Sequence, residues 1–532
     1  MADSPTPAAD PSASSSTRQR FPGFFWAANT MEIFERMGWY GFYAVSSLYL
    51  TGAVADGGLG LSSEDRGVIQ GLATFFLYLF PAVFGALADR YGFKRMFLAS
   101  CAVMVPGYLL LSLPETFWSF LAVYFLVAVG HGMFKPVVIS SVAKAVTEET
   151  GSMGFGIFYM MVNIGGFLGP IVAGVVRGWD WDFVFYASAG WILVMGIVAL
   201  IFYKEPPRDD GAEQKKSLRE VFAGIVAVVG NGRFFLFVSG ILVLLVMGSK
   251  WLAPAQYLPA AGAWLLLNVL VDIPLRARAR ASALDKLPWH LQPMAVGEGR
   301  YLVFLVLMSF FWISFNQIFM TLPEYIRDYT DTSDLIASLT PIAGWITGVA
   351  QQLGADTSEW SRAVLQHGQI KPEHLINLNA FGIIIGQVGI AYASRKLRPL
   401  TTIIVGSLVT VASFFLYLVG MSGWIVVSAI LVFSVGEMLA SPRSKEYAGR
   451  IAPPGKVGMY MGYFYWCVAL GNLFGGLLSG ITYGHFGPVE RGGTDNTDVM
   501  WLIFAGLAAL SAVLLWVYDK WVRRQDAVAG EG

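Results

Sequence analysis

The chain has 532 residues, of which 55% are hydrophobic and only 14% are charged. Soluble domains carry about 25% charged residues, so the composition excludes a soluble multidomain protein and indicates a polytopic helical membrane protein. Lysine plus arginine and aspartate plus glutamate number 36 each, so the net charge gives no indication of a nucleic-acid partner.

Fourteen apolar runs follow the polar N-terminal segment, and each is close to the roughly 20 residues that a spanning helix needs. They lie at about 24–50, 67–87, 95–113, 117–143, 153–175, 183–203, 233–249, 257–275, 300–322, 373–394, 400–420, 423–442, 457–481 and 499–518. The pattern predicts an all-α polytopic membrane protein, with two six-helix bundles and an inserted two-helix hairpin.

The predicted units follow from these runs and from the polar stretches between them. They are a disordered cytoplasmic tail at 1–20, bundles at 21–203 and 300–522, a linker at 204–299 with its hairpin at about 233–275, and a second tail at 523–532. Basic residues cluster in alternate loops, as at Arg95, Lys396 and Lys445, and the other loops are acidic or glycine-rich. Because positive charge favours the cytoplasmic side, we expect both termini in the cytoplasm and the chain in the inner membrane.

The first apolar run contains charged residues where hydrocarbon is expected. Glu32, Glu35, Arg36 and Tyr40 fall on one face of a helix, at i, i+3, i+4 and i+8. A charge at the bilayer centre costs roughly 2.5–3.5 kcal/mol on insertion scales, so this face must turn into a bundle interior or a wet cavity. A functional site is the favoured interpretation, and a salt-bridge cluster that only fixes helix packing is the alternative.

The loop between the second and third runs carries glycines and fixed charges at the ends of two helices. Gly85, Asp89, Arg90, Gly92 and Lys94 resemble the loop signature of the major facilitator superfamily. This resemblance implies two structural repeats around a site at the membrane midplane, with the loop able to latch the cytoplasmic gate.

The stretch from Glu32 to Gly41 resembles the E-x-x-E-R signature of the proton-dependent oligopeptide transporter family, although Met37 and Trp39 depart from it. Lys135, next to Pro136 in the fourth span, is similar to a family lysine that binds the substrate carboxylate or pairs with an acid of the first helix; snorkelling to the interface is the alternative. His131, one turn earlier, is not part of the pattern and is expected to fill a packed gap.

The other matched motifs supply the remaining predicted substrate contacts. Asn316 and Gln317 stand where the family has an acid followed by glutamine, so the proton-binding candidate of the seventh helix is replaced by an amide that cannot titrate. The predicted substrate-binding residues are Arg36, Tyr40, Tyr78, Lys135, Asn163, Asn316, Gln317, Asn379, Glu437, Ser441 and Phe464.

The resemblance implies an importer of di- and tripeptides or similar zwitterions that works by alternating access. Glu32, Glu35, Arg36, Lys135 and Glu437 are the predicted proton-coupling residues, and with three acids and two bases the empty cavity would carry one negative charge. Because Asn316 replaces the acid, we expect proton coupling to be altered. We also expect a monomer, with a small-molecule substrate and the lipid bilayer as its partners.

Two alternatives to peptide import stay open. One is the same fold with a different small-molecule cargo, favoured by Trp39 and Phe464, which are expected to alter the cavity wall. The other is a membrane protein that senses or scaffolds without transport. An enzyme is not expected, because the histidines do not cluster with a nucleophile and no metal-ligand pattern occurs. We expect no cofactor and no metal, with protons as the coupling ion. Cys101 and Cys467 fall in predicted spanning helices and predict no disulfide framework.

Overall fold

The structure, a computed structural model, describes residues 21–147, 150–206, 231–281, 288, 290, 292–294, 299–353, 356–358, 360–452 and 457–530. The tail predicted at 1–20 and the linker residues 207–230 lie outside the described residues.

Long helices make up both bundles. The first contains α1 Gly23–Thr51, α2 Ser63–Tyr91, α3 Phe93–Leu110, α4 Phe117–Ala145, α5 Gly151–Val176 and α6 Asp182–Ile201, and the inserted hairpin contains α7 Gly232–Trp251 and α8 Pro254–Ala281. The second begins with a broken span made of α9 Gly299–Phe315, α10 Gln317–Met320 and α11 Leu322–Tyr329. It continues, after a long connection, with α15 Leu378–Ser394, α16 Pro399–Leu416, α17 Gly423–Arg450, α18 Val457–Phe486 and α19 Thr497–Gly530.

The long connection between α11 and α15 has structure of its own. It contains α12 Ser333–Gln352, α13 Trp360–Val364, strands β1 Leu365–Gln366 and β2 Gln369–Ile370 in antiparallel pairing, and α14 Pro372–Ile376. Two single-turn 3₁₀ helices, Val54–Asp56 and Val489–Arg491, lie in other loops.

The predicted arrangement of six, two and six spans is confirmed. Among the described residues, thirteen helical segments have the length and hydropathy of a membrane span. Helix α1 supplies the fourteenth predicted span. Its three central charges set it apart from those thirteen, yet it packs inside the first bundle against α4, α5 and α6.

Helices α2 and α18 join the two bundles through glycines. A Cβ atom added to Gly67 would lie 2.3 Å from the Gly476 carbonyl oxygen, and one added to Gly476 would lie 2.4 Å from the Gly67 carbonyl oxygen. Because glycine has no side chain, the two backbones approach closely here, and the two bundles share a tight seam.

The protein has two ends, which we call the near face, where α1 begins, and the far face, where α1 ends. At the far face the bundles are joined by two ion pairs. Arg66 of α2 lies 2.7 Å from Glu324 of α11, and Arg177, just after α5, lies 2.6 Å from Glu373 of α14. Arg66 and Glu324 are fully buried. The far face is therefore closed in this conformation.

The inserted hairpin packs on the outside of the seam. The ring of Phe234 in α7 lies 4.9 Å, centre to centre, from that of Trp466 in α18. At the far face Lys250 of α7 forms an ion pair with Asp65 of α2. The hairpin therefore contacts both bundles without separating them.

Candidate functional site

The charged residues of α1 pair with one another and with α4. Lys135 Nζ lies 2.9 Å from Glu32 Oε1, and Arg36 Nε lies 3.4 Å from the same oxygen. The Nε and one terminal nitrogen of Arg36 also bond the Glu35 carboxylate. Glu32 and Glu35 are fully buried, whereas the Lys135 side chain keeps 19% of its surface exposed. The structure thus brings the four predicted charged residues of the first bundle together.

His131 belongs to this cluster, so the prediction that it only fills a packed gap is wrong. Its Nδ1 lies 2.6 Å from Glu35 Oε1, and its Nε2 lies 2.8 Å from the Tyr108 hydroxyl oxygen. A ring protonated at Nδ1 donates to Glu35 and accepts from Tyr108. The available sequence signal was the four-residue spacing between His131 and Lys135, which places both on one helix face.

Trp39 does not line the space between the bundles, contrary to the prediction. It is buried inside the first bundle, with its ring stacked on Tyr43 at 5.1 Å between centres and edge-on to His131 at 5.0 Å. The reason is helical rotation: Trp39 follows Glu35 by one turn and shares its inward direction.

In the second bundle the Glu437 carboxylate accepts a hydrogen bond from an amide group and has no contact with a cation among the described residues. Asn379 Nδ2 donates to Glu437 Oε2 at 2.9 Å and to the Ser434 hydroxyl at 3.0 Å. Within the described part of the chain, no lysine, arginine or histidine lies within 4 Å of the Glu437 carboxylate. Glu437 is therefore a half-buried carboxylate without an ion-pair partner among those residues.

Between the bundles, part-exposed polar side chains line a space that we call the cleft, which runs from Lys135 toward the near face. Tyr40 lies under the Arg36 guanidinium at 5.6 Å from the ring centre, and Tyr78 of α2 stacks on Tyr465 of α18 at 6.2 Å. Asn163 is half-buried on α5, and its amide is bonded to the Tyr159 carbonyl oxygen at 2.8 Å.

Three predicted substrate contacts are buried side chains. Gln317 is fully buried and donates to the carbonyl oxygens of Ile313 and Gly475, at the break after α9. Asn316 is buried and donates to the Trp312 carbonyl oxygen at 2.8 Å. Phe464 is fully buried, and its neighbour Tyr465 takes the part-exposed position, because adjacent residues on a helix point about 100° apart. Ser441 is half-buried one turn beyond Glu437.

Lys445 is a cleft residue that the sequence did not indicate. It was grouped with the basic residues of a cytoplasmic loop, but it lies on α17 and its Nζ is 5.4 Å from the ring centre of Tyr159 in α5. It therefore faces the opposite bundle across the near-face half of the cleft.

The predicted gate loop turns at Gly92, whose φ of +94° favours glycine. Glu205, just after α6, accepts hydrogen bonds from the backbone N–H groups of Phe93 and Lys94, at 2.6 and 3.0 Å. It caps the start of α3. A Cβ atom added to Gly85 would lie 3.4 Å from the Pro136 side chain of α4, and Arg90 lies over the Tyr91 ring. The Asp89 side chain lies outside the described residues.

Comparison with known proteins identifies the fold family. The family model described as Major Facilitator Superfamily matches residues 30–368. The chain belongs to the major facilitator superfamily. It is a transport protein and not an enzyme. Among its described residues no group of three or more His, Cys, Asp or Glu side chains is placed to hold a metal ion.

Within the superfamily the chain is similar to peptide transporters along most of its length. It is 26% identical over 488 residues to a peptide transporter of Yersinia enterocolitica, covering 84% of this chain and 86% of the relative. It is 23% identical over 523 residues to dipeptide and tripeptide permease A of Citrobacter koseri, covering 93% and 90%. These matches confirm the resemblance to the proton-dependent oligopeptide transporters.

The same fold occurs in a solved structure. The crystal structure of a peptide transporter in complex with sulfate superposes with a TM-score of 0.66 at 20% identity and covers 94% of this chain and 95% of its own.

Proposed function

We propose that this chain is a membrane transporter for di- and tripeptides or similar zwitterions, working by alternating access. The observation that carries the proposal is the separation of charge across the cleft. Lys135 and Arg36 lie on the first bundle, and the half-buried Glu437, unpaired among the described residues, lies on the second. A zwitterionic peptide carries the complementary charges at its two ends, so it can join the bundles.

Binding would exchange partners inside the first bundle. The substrate carboxylate would compete with Glu32 for Lys135 and with Glu35 for Arg36, and Glu437 would take the substrate amino group. Hydrogen bonds between charged groups contribute more than neutral ones, so each exchange changes which conformation is favoured. Asn379 would orient Glu437, and Asn163 and Tyr78 would contact the peptide bond from the first bundle.

Proton coupling is the second part of the proposal. Asn316 cannot titrate, so the proton would be carried by Glu32 or by Glu35 together with His131, which is bonded to Glu35. Coupling would then be altered in stoichiometry or strength relative to a transporter with an acid at position 316. Coupled import would enter from the far face and release at the near face. The basic residues near that face, such as Lys94 and Arg395, support a cytoplasmic near face with both termini inside the cell.

Dialanine uptake into proteoliposomes, measured with and without an inward proton gradient, tests this proposal. We expect saturable counterflow without a gradient and only partial gradient-driven accumulation. Full accumulation would overturn the altered-coupling part. Dialanine binding without counterflow would favour the sensor or scaffold, and failure to bind dialanine would favour another cargo.

A further inference from the structure

Lys445 is a cation in the cleft that the peptide-binding scheme does not use. It follows Glu437 on α17 by eight residues, about two turns closer to the near face. Its Nζ lies 5.4 Å from the Tyr159 ring centre, and Glu437, Tyr78 and Tyr465 lie within electrostatic range of it. Lys445 is half-buried, and the groups near it on the two bundles include three tyrosines.

Lys445 differs from the other cations of the site in having no carboxylate partner among the described residues. Arg36 and Lys135 both pair with acids of α1. The adjacent acid, Glu446, is already bound by Arg443 at 2.6 Å and by Arg450 at 2.5 Å. A part-buried charge is costly without a counter-ion, and neutral phenols compensate it only in part.

The charge of the cleft also changes when Lys445 is counted. Glu32, Glu35 and Glu437 carry three negative charges, and Arg36, Lys135 and Lys445 carry three positive charges. The ionised, empty cleft is then neutral and not negative as the sequence predicted. A substrate with one net negative charge can enter with one proton and leave the cleft neutral.

We propose that Lys445 forms an anion subsite that binds an acidic side chain on the N-terminal residue of a peptide substrate. This inference rests on the proposed function and names its substrate class. Glu437 would hold the substrate amino group, and a first side chain that points toward the near face would meet Lys445, which lies on that side of Glu437. The carboxylate of a first-position glutamate or aspartate would then supply the anion that Lys445 lacks.

The test compares two peptides that differ only in charge at the first position, Glu-Ala and Gln-Ala. Their dissociation constants are measured on the purified full-length chain and on Lys445→Met. We expect the Glu-Ala affinity to fall about tenfold in Lys445→Met, as for loss of one charge-assisted contact, and the Gln-Ala affinity to change less than threefold. Ala-Glu, with its acid at the second position, should also change less than threefold.

Two control variants separate charge from packing. Lys445→Arg keeps the charge and should keep the Glu-Ala preference. Lys520→Met removes a lysine that lies 3.6 Å from the Trp516 ring centre on α19, outside the cleft, and should change neither affinity.

Equal losses of affinity for both peptides in Lys445→Met would overturn the inference and would mean that Lys445 acts only through its contact with Tyr159. Unchanged affinities for both peptides in Lys445→Met would overturn it as well. If the wild-type chain binds neither Gln-Ala nor dialanine, the proposed function itself fails and the subsite falls with it.

Discussion

At the scale of single residues, Glu35 is the point where substrate and proton compete. It is fully buried and bonded to Arg36 and to His131. If a substrate carboxylate takes Arg36, Glu35 keeps only the histidine as a partner. A buried carboxylate without a cation is costly, and a proton on Glu35 or His131 removes that cost. The charged and titratable groups that face His131 are Glu35, Arg36, Lys135 and Tyr108.

We therefore predict that His131→Gln weakens proton-driven transport. Glutamine can donate to Glu35 but cannot accept a proton, so gradient-driven dialanine uptake should fall about tenfold, while counterflow without a gradient should change less than threefold. Uptake is measured between pH 5 and 8, where the wild type should rise toward acid pH and the variant should not. His485→Gln, an exposed far-face substitution, is the control. An unchanged acid stimulation in His131→Gln contradicts the prediction.

Glu32 gives a second prediction, because it competes with substrate for Lys135. Glu32→Gln removes the negative charge that lies 2.9 Å from Lys135 Nζ and leaves a neutral amide, which competes less strongly with a substrate carboxylate for the lysine. Dialanine affinity should tighten severalfold, since the ion pair that holds Lys135 is replaced by a weaker contact with an uncharged acceptor, and gradient-driven uptake should fall. Calorimetry and proteoliposome uptake check the two parts, with Glu115→Gln in an exposed loop as the control. Weaker dialanine binding would show that Glu32 does not compete.

The sequence predicted part of this site and missed part, for one geometric reason. Spacing within a helix places Glu32, Glu35 and Arg36 on one face, so their pairing was predictable. The rotation of one helix against its neighbours is set by tertiary packing, so Trp39 and Phe464 were assigned to the cleft although both are buried. Lys445 was missed because a basic residue at a helix end has the same pattern as a basic residue in a loop.

At the scale of helices, the apolar runs predicted the membrane spans well, because a run of about 20 apolar residues must lie in lipid or in the protein interior. The apolar runs did not predict where a spanning helix is broken. The run predicted at about 300–322 continues to Tyr329, and it breaks around Asn316 and Thr321, where backbone groups find side-chain partners. Helix α12 lies between the runs predicted at about 300–322 and 373–394 and is not predicted by either of them.

The seam between α2 and α18 leads to a prediction about stability. A methyl group on Gly67 would lie 2.3 Å from the Gly476 carbonyl oxygen. This distance is so short that backbone atoms would have to move. Overpacking costs typically about 1–3 kcal/mol, so Gly67→Ala should lower the midpoint of thermal unfolding in detergent by several degrees. Gly190→Ala in α6, where an added Cβ has no neighbouring atom within 4 Å, should leave the unfolding midpoint unchanged or raise it. Equal midpoints for both variants would mean that the seam is not tight.

At the scale of the whole molecule, the two bundles are held together mainly at the far face. Arg66–Glu324 and Arg177–Glu373 connect them there, and Asn377 donates to the Phe167 carbonyl oxygen at 2.8 Å. The cleft residues toward the near face remain part-exposed, as Lys135 and Tyr159 do. This is the arrangement of a transporter closed on one side, and the opposite conformation must break the far-face contacts.

Breaking the Arg66–Glu324 pair should therefore shift the protein toward a far-open conformation. Removing one partner of a buried ion pair costs about 3–5 kcal/mol, which raises a minor open population by a factor on the order of a hundred or more. Spin labels on Val54→Cys and Val489→Cys, exposed in far-face loops of the two bundles, report the separation, since Cys101 and Cys467 are buried. Pulsed electron paramagnetic resonance should show longer distances in Glu324→Gln.

The double substitution Arg66→Met with Glu324→Leu distinguishes a gate from a general structural contact. Replacing a buried ion pair by apolar residues of similar volume is often neutral or stabilising, so the double variant should keep the short distance that Glu324→Gln loses. Transport by the double variant should then be slow, because apolar contacts keep the far face closed and no ion pair remains there that could break and form again during the cycle. If Glu324→Gln keeps the wild-type distance distribution, Arg66–Glu324 does not set the balance between the two conformations, and the pair of Arg177 with Glu373 becomes the next far-face ion pair to vary.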